Sequence, residues 1–407
     1  MTEFLQLALA LVILIAAAKL GGYISLRLGQ PSVLGELIAG LILGPSLLDT
    51  LHQSPFTSQH LDETIALLAE LGVLLLMFLA GLELHIKDLA RAGKVSALAG
   101  TLGVVFPVVM GFGLGRIFGM DNLPALFIGL VLAATSVSIS AQTLMELGVL
   151  RSRVGIGLLG AAVFDDVLVI LMLSILLALT GEGGGGLAAA GLVLLRMALF
   201  VGIASAVGML LPRLSRQVDH LPISQGLVAF VLITLLLYAW AAEALGSMAA
   251  ITGAFMAGLF FGRSPLREQI QANVSVLAYG LFVPIFFIHV GLGVDTHLMA
   301  GQALWLIVAM IAVAVVSKIL GAGLGARLAG FNNLEALQLS AGMMSRGEVG
   351  LIVATLGVSQ GLLSSQVFSG TVAMVIVTTL LTPPALRYLF ARSSPPVFSA
   401  AVSVAEE

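Results

Sequence analysis

Along this chain, apolar runs alternate with short polar or Gly/Pro-rich breaks. Thirteen runs read as membrane-spanning helices, centred near residues 14, 40, 73, 106, 134, 165, 202, 232, 254, 283, 314, 347 and 377. The first run follows Glu3 rather than Lys or Arg and no small-residue cleavage site comes after it. It therefore reads as a retained span, not a signal peptide. An odd count puts the two termini on opposite sides.

The basic residues choose the orientation. With the N-terminus outside, the inner segments hold Arg27, Lys87, Arg91, Lys94, Arg151, Arg153, Arg213, Arg216, Arg263, Arg267, Arg327, Arg387 and Arg392. The outer segments hold Arg116 alone. A wrong span count would scramble this split.

Composition agrees with the pattern. Of 407 residues, 59% are hydrophobic and 10% charged, against about 25% charged in a soluble domain. A net charge of -3 argues against nucleic acid as a partner. With no cysteine, disulfides, thiol catalysis and Cys-ligated zinc are excluded.

Part of the chain repeats. Gly35-Glu-Leu-Ile-Ala-Gly-Leu-Ile-Leu-Gly-Pro-Ser46 in span 2 matches Gly253-Ala-Phe-Met-Ala-Gly-Leu-Phe-Phe-Gly-Arg-Ser264 in span 9 at six of twelve positions. The end of span 4, Gly113-Leu-Gly-Arg-Ile-Phe-Gly119, matches the end of span 11, Gly323-Leu-Gly-Ala-Arg-Leu-Ala-Gly330, with one inserted residue. A shorter pair is Gly81-Leu82 with Gly291-Leu292. Each pair is seven spans apart, so the copies cross the membrane in opposite senses. Spans 2–6 and 9–13 read as inverted five-helix repeats, a transporter architecture. Arg116 is then the repeat mate of Arg327.

In such carriers the substrate site forms where matching helices are interrupted. Span 5 contains Ala134-Thr-Ser-Val-Ser-Ile-Ser-Ala-Gln142, and its mate, span 12, contains Met344-Ser-Arg-Gly-Glu-Val-Gly350. Both are expected to break and to cross. Span 6 carries Asp165 and Asp166 at its centre. One charge at that depth costs roughly 2.5–3.5 kcal/mol on the insertion scale. Adjacent residues point about 100° apart around a helix, so one carboxylate can meet a fixed counter-ion while the other faces a cavity. Lys318, near mid-membrane in span 11, is the natural counter-ion. Asp165, Asp166 and Lys318 sum to -1, and Arg346 with Glu348 sums to zero. A proton or a monovalent cation would complete the balance. A carboxylate holds one or the other, which is the basis of an exchange cycle. If both aspartates titrate, two protons move per cation and the exchange is electrogenic.

These residues resemble those of the NapA-like antiporters in the monovalent cation:proton antiporter-2 family. The likeness runs from Gln30-Pro31-x-x-Leu-Gly-Glu36 to the last span. It includes Gly40-Leu-Ile-Leu-Gly-Pro45, Phe78-Leu-Ala-Gly-Leu-Glu83, Ala134-Thr-Ser136, Phe164-Asp-Asp166, Lys318 and Ser345-Arg-Gly-Glu-Val-Gly-Leu351. The resemblance implies an all-α, NhaA-like antiporter fold with two broken helices crossing in the core, and a homodimer. Residues 1–90 and 221–298 would form a dimerisation panel, and 91–180 and 301–392 an elevator-like core. Residues 188–213 would be a linker helix and 393–407 a short cytoplasmic tail. Asp166 would bind Na⁺ or Li⁺, Asp165 would pair with Lys318 beside that metal ion, and Thr135 would line the crossing. Arg346, Glu348 and Ser136 would support the core.

The expected activity is electrogenic Na⁺(Li⁺)/H⁺ antiport in a plasma or inner membrane, with no cofactor and no enzymatic reaction. Kef-type potassium efflux relatives usually carry Gln-Asp where this chain has Asp165-Asp166, together with a nucleotide-binding domain. Here only about fifteen residues follow the last span, without Gly-x-Gly-x-x-Gly, so no nucleotide partner is expected. A Kef-type K⁺/H⁺ antiporter lacking that domain is the alternative. An intramembrane aspartyl protease would place its aspartates on different helices, one in Gly-x-Gly-Asp, which is absent. A channel or ion-sensing receptor fits the inverted repeat poorly. The Gly-rich stretch Gly181–Gly186 reads as a flexible outer linker. His52, His60, His85, His220 and His297 read as solvated, His289 as lying near the outer end of span 10, and none has metal-ligand spacing. Glu36 reads as a contact to the N-terminus of its own helix, and Lys19 as snorkelling to the inner surface.

Overall fold

The computed structural model describes residues 2–28, 30–58, 60–84, 92–179, 186–293 and 304–392. His85, Lys87, Arg91, His297, most of the 181–186 linker and the 393–407 tail lie outside the described residues.

Every regular element among them is helical. In chain order they are α1 (Glu3–Arg27), α2 (Ser32–Leu43), a 3₁₀ turn (Thr50–His52), α3 (Leu61–Glu83), α4 (Gly93–Ile117), α5 (Asn122–Ala133), α6 (Val137–Glu146) and α7 (Arg153–Leu179). The second half holds α8 (Gly186–Gly208), α9 (Leu211–Asp219), α10 (Gly226–Ala244), α11 (Ala250–Phe261) and α12 (Arg267–Leu277). A π turn (Ala278–Phe282) runs α12 into α13 (Val283–Leu292), followed by α14 (Leu304–Leu328), α15 (Asn333–Gly342), α16 (Glu348–Ser359) and α17 (Ser365–Ala391).

Among the described residues, ten helices are long and apolar enough to cross a membrane, with α5–α6 taken as one and α12–α13, through the π turn, as another. The apolar helices α2 and α11 are shorter, at twelve residues each, and α15 and α16 are separated by residues 343–347. The thirteen centres read from the sequence all fall on these helices or on the two breaks, 134–136 and 343–347. The helix α9 is an addition. Its sequence, LPRLSRQVD, is too polar to span, and it buries Leu211 and Ser215 while Arg213 and Arg216 stay on its outer side.

The helices pack as two groups. In one, α4 lies against α14, α5 and α7, and α14 also packs on α15 and α17. In the other, α2 packs on α1 and α13, and α3 on α11 and α13. The helix α8 touches α7 of the first group and α10 and α11 of the second. Without a hydrophobic drive between helices in lipid, close backbone approach is what holds such groups. Glycine supplies it at matched places. Gly40 of α2 sits on the Ile288 carbonyl of α13, and Gly258 of α11 sits on the Phe78 carbonyl of α3; a Cβ at either would collide.

These are the predicted repeat mates, and they meet equivalent partners. Two further matched glycines also make close backbone contacts: Gly35 lies on Gly21 of α1 and Gly253 on Tyr238 of α10. The basic mates also behave alike. Arg116 donates to the Met120 carbonyl at 2.8 Å, and Arg327 to the Phe331 carbonyl at 2.6 Å. The turn that each closes needs positive φ, +78° at Gly119 and +91° at Gly330.

Candidate functional site

Both interrupted spans break at their polar stretches. The helix α5 stops at Ala133 and α6 restarts at Val137; α15 stops at Gly342 and α16 restarts at Glu348. The two breaks touch through a backbone hydrogen bond from Ser136 N–H to the Ser345 carbonyl, 2.9 Å. The Ser140 hydroxyl donates to the Gly342 carbonyl, and Ser136 and Ser138 lie hydroxyl to hydroxyl at 3.2 Å. Thr143, by contrast, only bonds back to Ile139 of its own helix at 2.8 Å.

A broken helix leaves carbonyls unpaired at its C-terminal end and a partial negative charge there. Two such ends meet here, and Arg346 answers both. It is fully buried. One terminal nitrogen of its guanidinium reaches the carbonyls of Ala134, at the end of α5, and Met343, at the end of α15, each at 3.4 Å. The other donates to the Ala314 carbonyl of α14 at 2.8 Å. The planar fork suits this task better than a point charge would. The backbone of Arg346 is held in turn by α17, accepting from the Thr379 hydroxyl at 3.0 Å and donating to the Thr378 hydroxyl at 3.2 Å. Arg346 and Glu348 balance as formal charges along the chain, but the guanidinium turns to main-chain carbonyls. The Glu348 side chain lies outside the described residues, while its backbone opens α16.

Asp165 and Asp166 lie midway along α7 and part as helical geometry requires. Asp165 turns into the first helix group, where it accepts from the Lys318 ammonium of α14 at 2.7 Å and from the Thr135 hydroxyl at the α5–α6 break. Asp165 and Lys318 are both fully buried. Asp166 turns the other way, toward the second group. It lines a small cavity of about 10 Å³, room for about one water, with Val137 of α6, Met77 of α3, and Ile251, Thr252 and Phe255 of α11. The structure thus brings Asp165, Thr135 and Lys318 into direct contact. Arg346 and Ser136 sit at the adjoining crossing, and Asp166 stands on the seam between the two groups.

Some participants were not singled out from sequence. Thr378 and Thr379 are polar residues in the apolar run of α17, a signal of the kind used for span 5. Ser32 of α2 and Glu146 of α6 link the two groups: the Glu146 carboxylate accepts from the Ser32 N–H and hydroxyl, both at 2.6 Å. The carboxylate at the α2 N-terminus is therefore Glu146, not Glu36, whose side chain packs beside Gly22 of α1. Lys19 donates to the Tyr279 carbonyl at the π turn, 2.7 Å, instead of only reaching for the surface.

Crossed broken helices around a buried Asp–Lys pair in an all-helical membrane bundle define a secondary ion transporter. The comparisons place the chain more closely. It belongs to the transmembrane sodium/hydrogen exchanger family, which matches residues 11–392. It is similar to the Na(+)/H(+)-K(+) antiporter GerN of Bacillus cereus, with 40% identity over 95% of this chain and 96% of the relative. A Na(+)/H(+) antiporter of Enterococcus hirae is 35% identical over 93% of this chain and 96% of its own length. In fold it resembles the solved sodium proton antiporter MjNhaP1 of Methanocaldococcus jannaschii, with a TM-score of 0.68 over 96% of this chain and 98% of that one, at 18% identity.

Proposed function

We propose that this chain is an antiporter that exchanges Na⁺, and Li⁺, for protons by alternating access. Its ion carboxylate is Asp166, with Asp165 held beside it by Lys318 and Thr135. The observation that carries the proposal is the division of labour within the acidic pair. Asp165 is buried against a fixed cation, 2.7 Å from its ammonium. Asp166, one residue on, lines a cavity on the seam between two helix groups. A carboxylate so placed can hold a proton or a metal ion, and loading it with either completes the local charge balance before it crosses a dry barrier. The core, α4–α7 with α14–α17, would then slide as a body against α1–α3 with α10–α13, and α8 would link them. The second group would carry a homodimer interface. With Asp165 also releasing Lys318 for a proton, exchange is electrogenic. The positive-inside count supports a plasma or inner membrane location with the N-terminus outside.

A K⁺/H⁺ antiporter on the same fold is the second reading, favoured by the word K(+) in the name of GerN. Reconstitution separates the two. Proteoliposomes carrying an internal pH dye and an imposed pH gradient receive Na⁺, Li⁺ or K⁺, with the membrane potential clamped or free. Dissipation by Na⁺ and Li⁺ that follows the potential supports electrogenic sodium exchange. Dissipation by K⁺ alone, indifferent to potential, supports the second reading. Asp166→Asn is expected to fold and to lose exchange; full exchange in that variant overturns the site assignment.

A further inference from the structure

Among the described residues lining the Asp166 cavity, one other side chain is polar: Thr252, in the first turn of α11. The rest of the wall is aliphatic, aromatic or methionine. Buried threonines elsewhere in this molecule return their hydroxyls to the carbonyl four residues back, as Thr234, Thr371 and Thr382 do at 2.8, 2.9 and 2.7 Å. Thr252 is 4% exposed, and its N–H bonds Ala249. Its hydroxyl makes no hydrogen bond among the described residues. Residue 248, four positions back, precedes the helix, so the usual helical carbonyl is missing. The residue lines the same small cavity as the Asp166 carboxylate, where a water or an ion can partner the hydroxyl.

The backbone that carries it is rigidly seated. Gly253 lies on the Tyr238 carbonyl of α10 and Gly258 on the Phe78 carbonyl of α3, each too close for a Cβ. Thr252 is thereby fixed to the helix group opposite the one that carries Asp166. Hard cations take oxygen ligands, and among the described residues of the cavity wall the side-chain oxygens belong to Asp166 and Thr252.

Given the reading of Asp166 as the ion carboxylate, we propose that Thr252 lends an oxygen to the cation at Asp166, directly or through one water, and so sets cation affinity on one face of the membrane. The one-sidedness follows from the packing. Asp166 must face both sides during exchange, and the sliding of the two groups proposed above would carry it away from Thr252, with which it shares a cavity here. A ligand present in one arrangement changes affinity in that arrangement alone.

The test uses the full chain in proteoliposomes, varying Na⁺ or Li⁺ on one side at a time. Thr252→Val keeps the side-chain shape and removes the hydroxyl. It is expected to raise KM about 3- to 10-fold from one face, the range of one lost neutral hydrogen bond. The other face and kcat should stay within about twofold. Thr252→Ser, which restores the hydroxyl, should return KM to within about twofold of the parent. Should Thr252→Val fold poorly, Thr252→Ala serves the same comparison. Equal KM shifts from both faces, an unchanged KM, or a loss confined to kcat overturns the proposal. Asp166→Asn, run alongside, separates the two ideas: exchange surviving in that variant removes the assigned ion site, whereas a dead Asp166→Asn with a two-sided Thr252→Val effect removes only the role of Thr252.

Discussion

The buried pair Asp165–Lys318 makes a quantitative prediction. The ammonium and carboxylate are 2.7 Å apart and without solvent contact. At an effective dielectric constant of about 20, unit charges at that separation attract by about 6 kcal/mol. Much of that offsets the cost of bringing two charges out of water, so the pair as a whole adds little net stability. Breaking it is another matter. Lys318→Met leaves the carboxylate with the Thr135 hydroxyl, and Asp165→Asn leaves an ammonium in a cluster that also holds Arg346. Each single variant is expected to lose about 3–5 kcal/mol. The double variant removes both charges and keeps the volume of the lysine stem, so it should be more stable than either single one. The expected coupling is at least about 3 kcal/mol. Apparent Tm in detergent, followed by intrinsic fluorescence at one pH and salt concentration for all four proteins, gives the ranking. Additive losses, with the double variant the least stable, would refute the reasoning. They would mean that the two residues matter through packing and not through their charges.

Two further predictions rest on other contacts. Arg346→Lys keeps the charge but not the fork, and a lysine cannot reach the Ala134, Met343 and Ala314 carbonyls together. A loss of about 1.5–3 kcal/mol is expected for one lost charge-assisted bond, seen as a lower apparent Tm, and a parent-like Tm would remove the capping role. At the surface, His52 bonds Asp49 at 2.6 Å and Asp62 at 3.0 Å. The Asp49 hydrogen bond is the main cause that raises its pKa above the ordinary 6.5, against a smaller lowering by burial. The folded form holds the imidazolium more tightly than the unfolded chain. The bridge therefore contributes its small stability fully below pH 6.5 and loses it as pH rises through the higher folded value. NMR titration should find His52 above 6.5, and Asp49→Asn should bring it down; an unchanged value in that variant would contradict the assignment.

The spans, the two breaks and the acidic pair were all readable from sequence, for reasons that belong to the bilayer. A membrane demands long apolar runs and makes every interruption costly, so Ala134–Ser136, Ser345–Gly347 and Asp165–Asp166 stand out against their surroundings. Matched glycines such as Gly40 and Gly258 were visible because close backbone approach tolerates no other residue. Lys318 stood out as a counter-ion by its depth in an apolar span. Tertiary structure decided the rest. Periodicity does not tell adjacent aspartates apart: only the family resemblance pointed to Asp165 as the partner of Lys318, and the rotation of α7 between its neighbours is what puts it there. Arg346 reads as one half of a charge pair along the chain, yet it serves carbonyls from three different elements, and backbone acceptors carry no sequence signature. Glu146 reaches Ser32 across 114 residues, and Thr252 faces Asp166 only because α11 packs across the seam. Within a helix, composition and period are written residue by residue. Between helices, contacts depend on how whole elements turn against one another, and only the folded molecule holds that information.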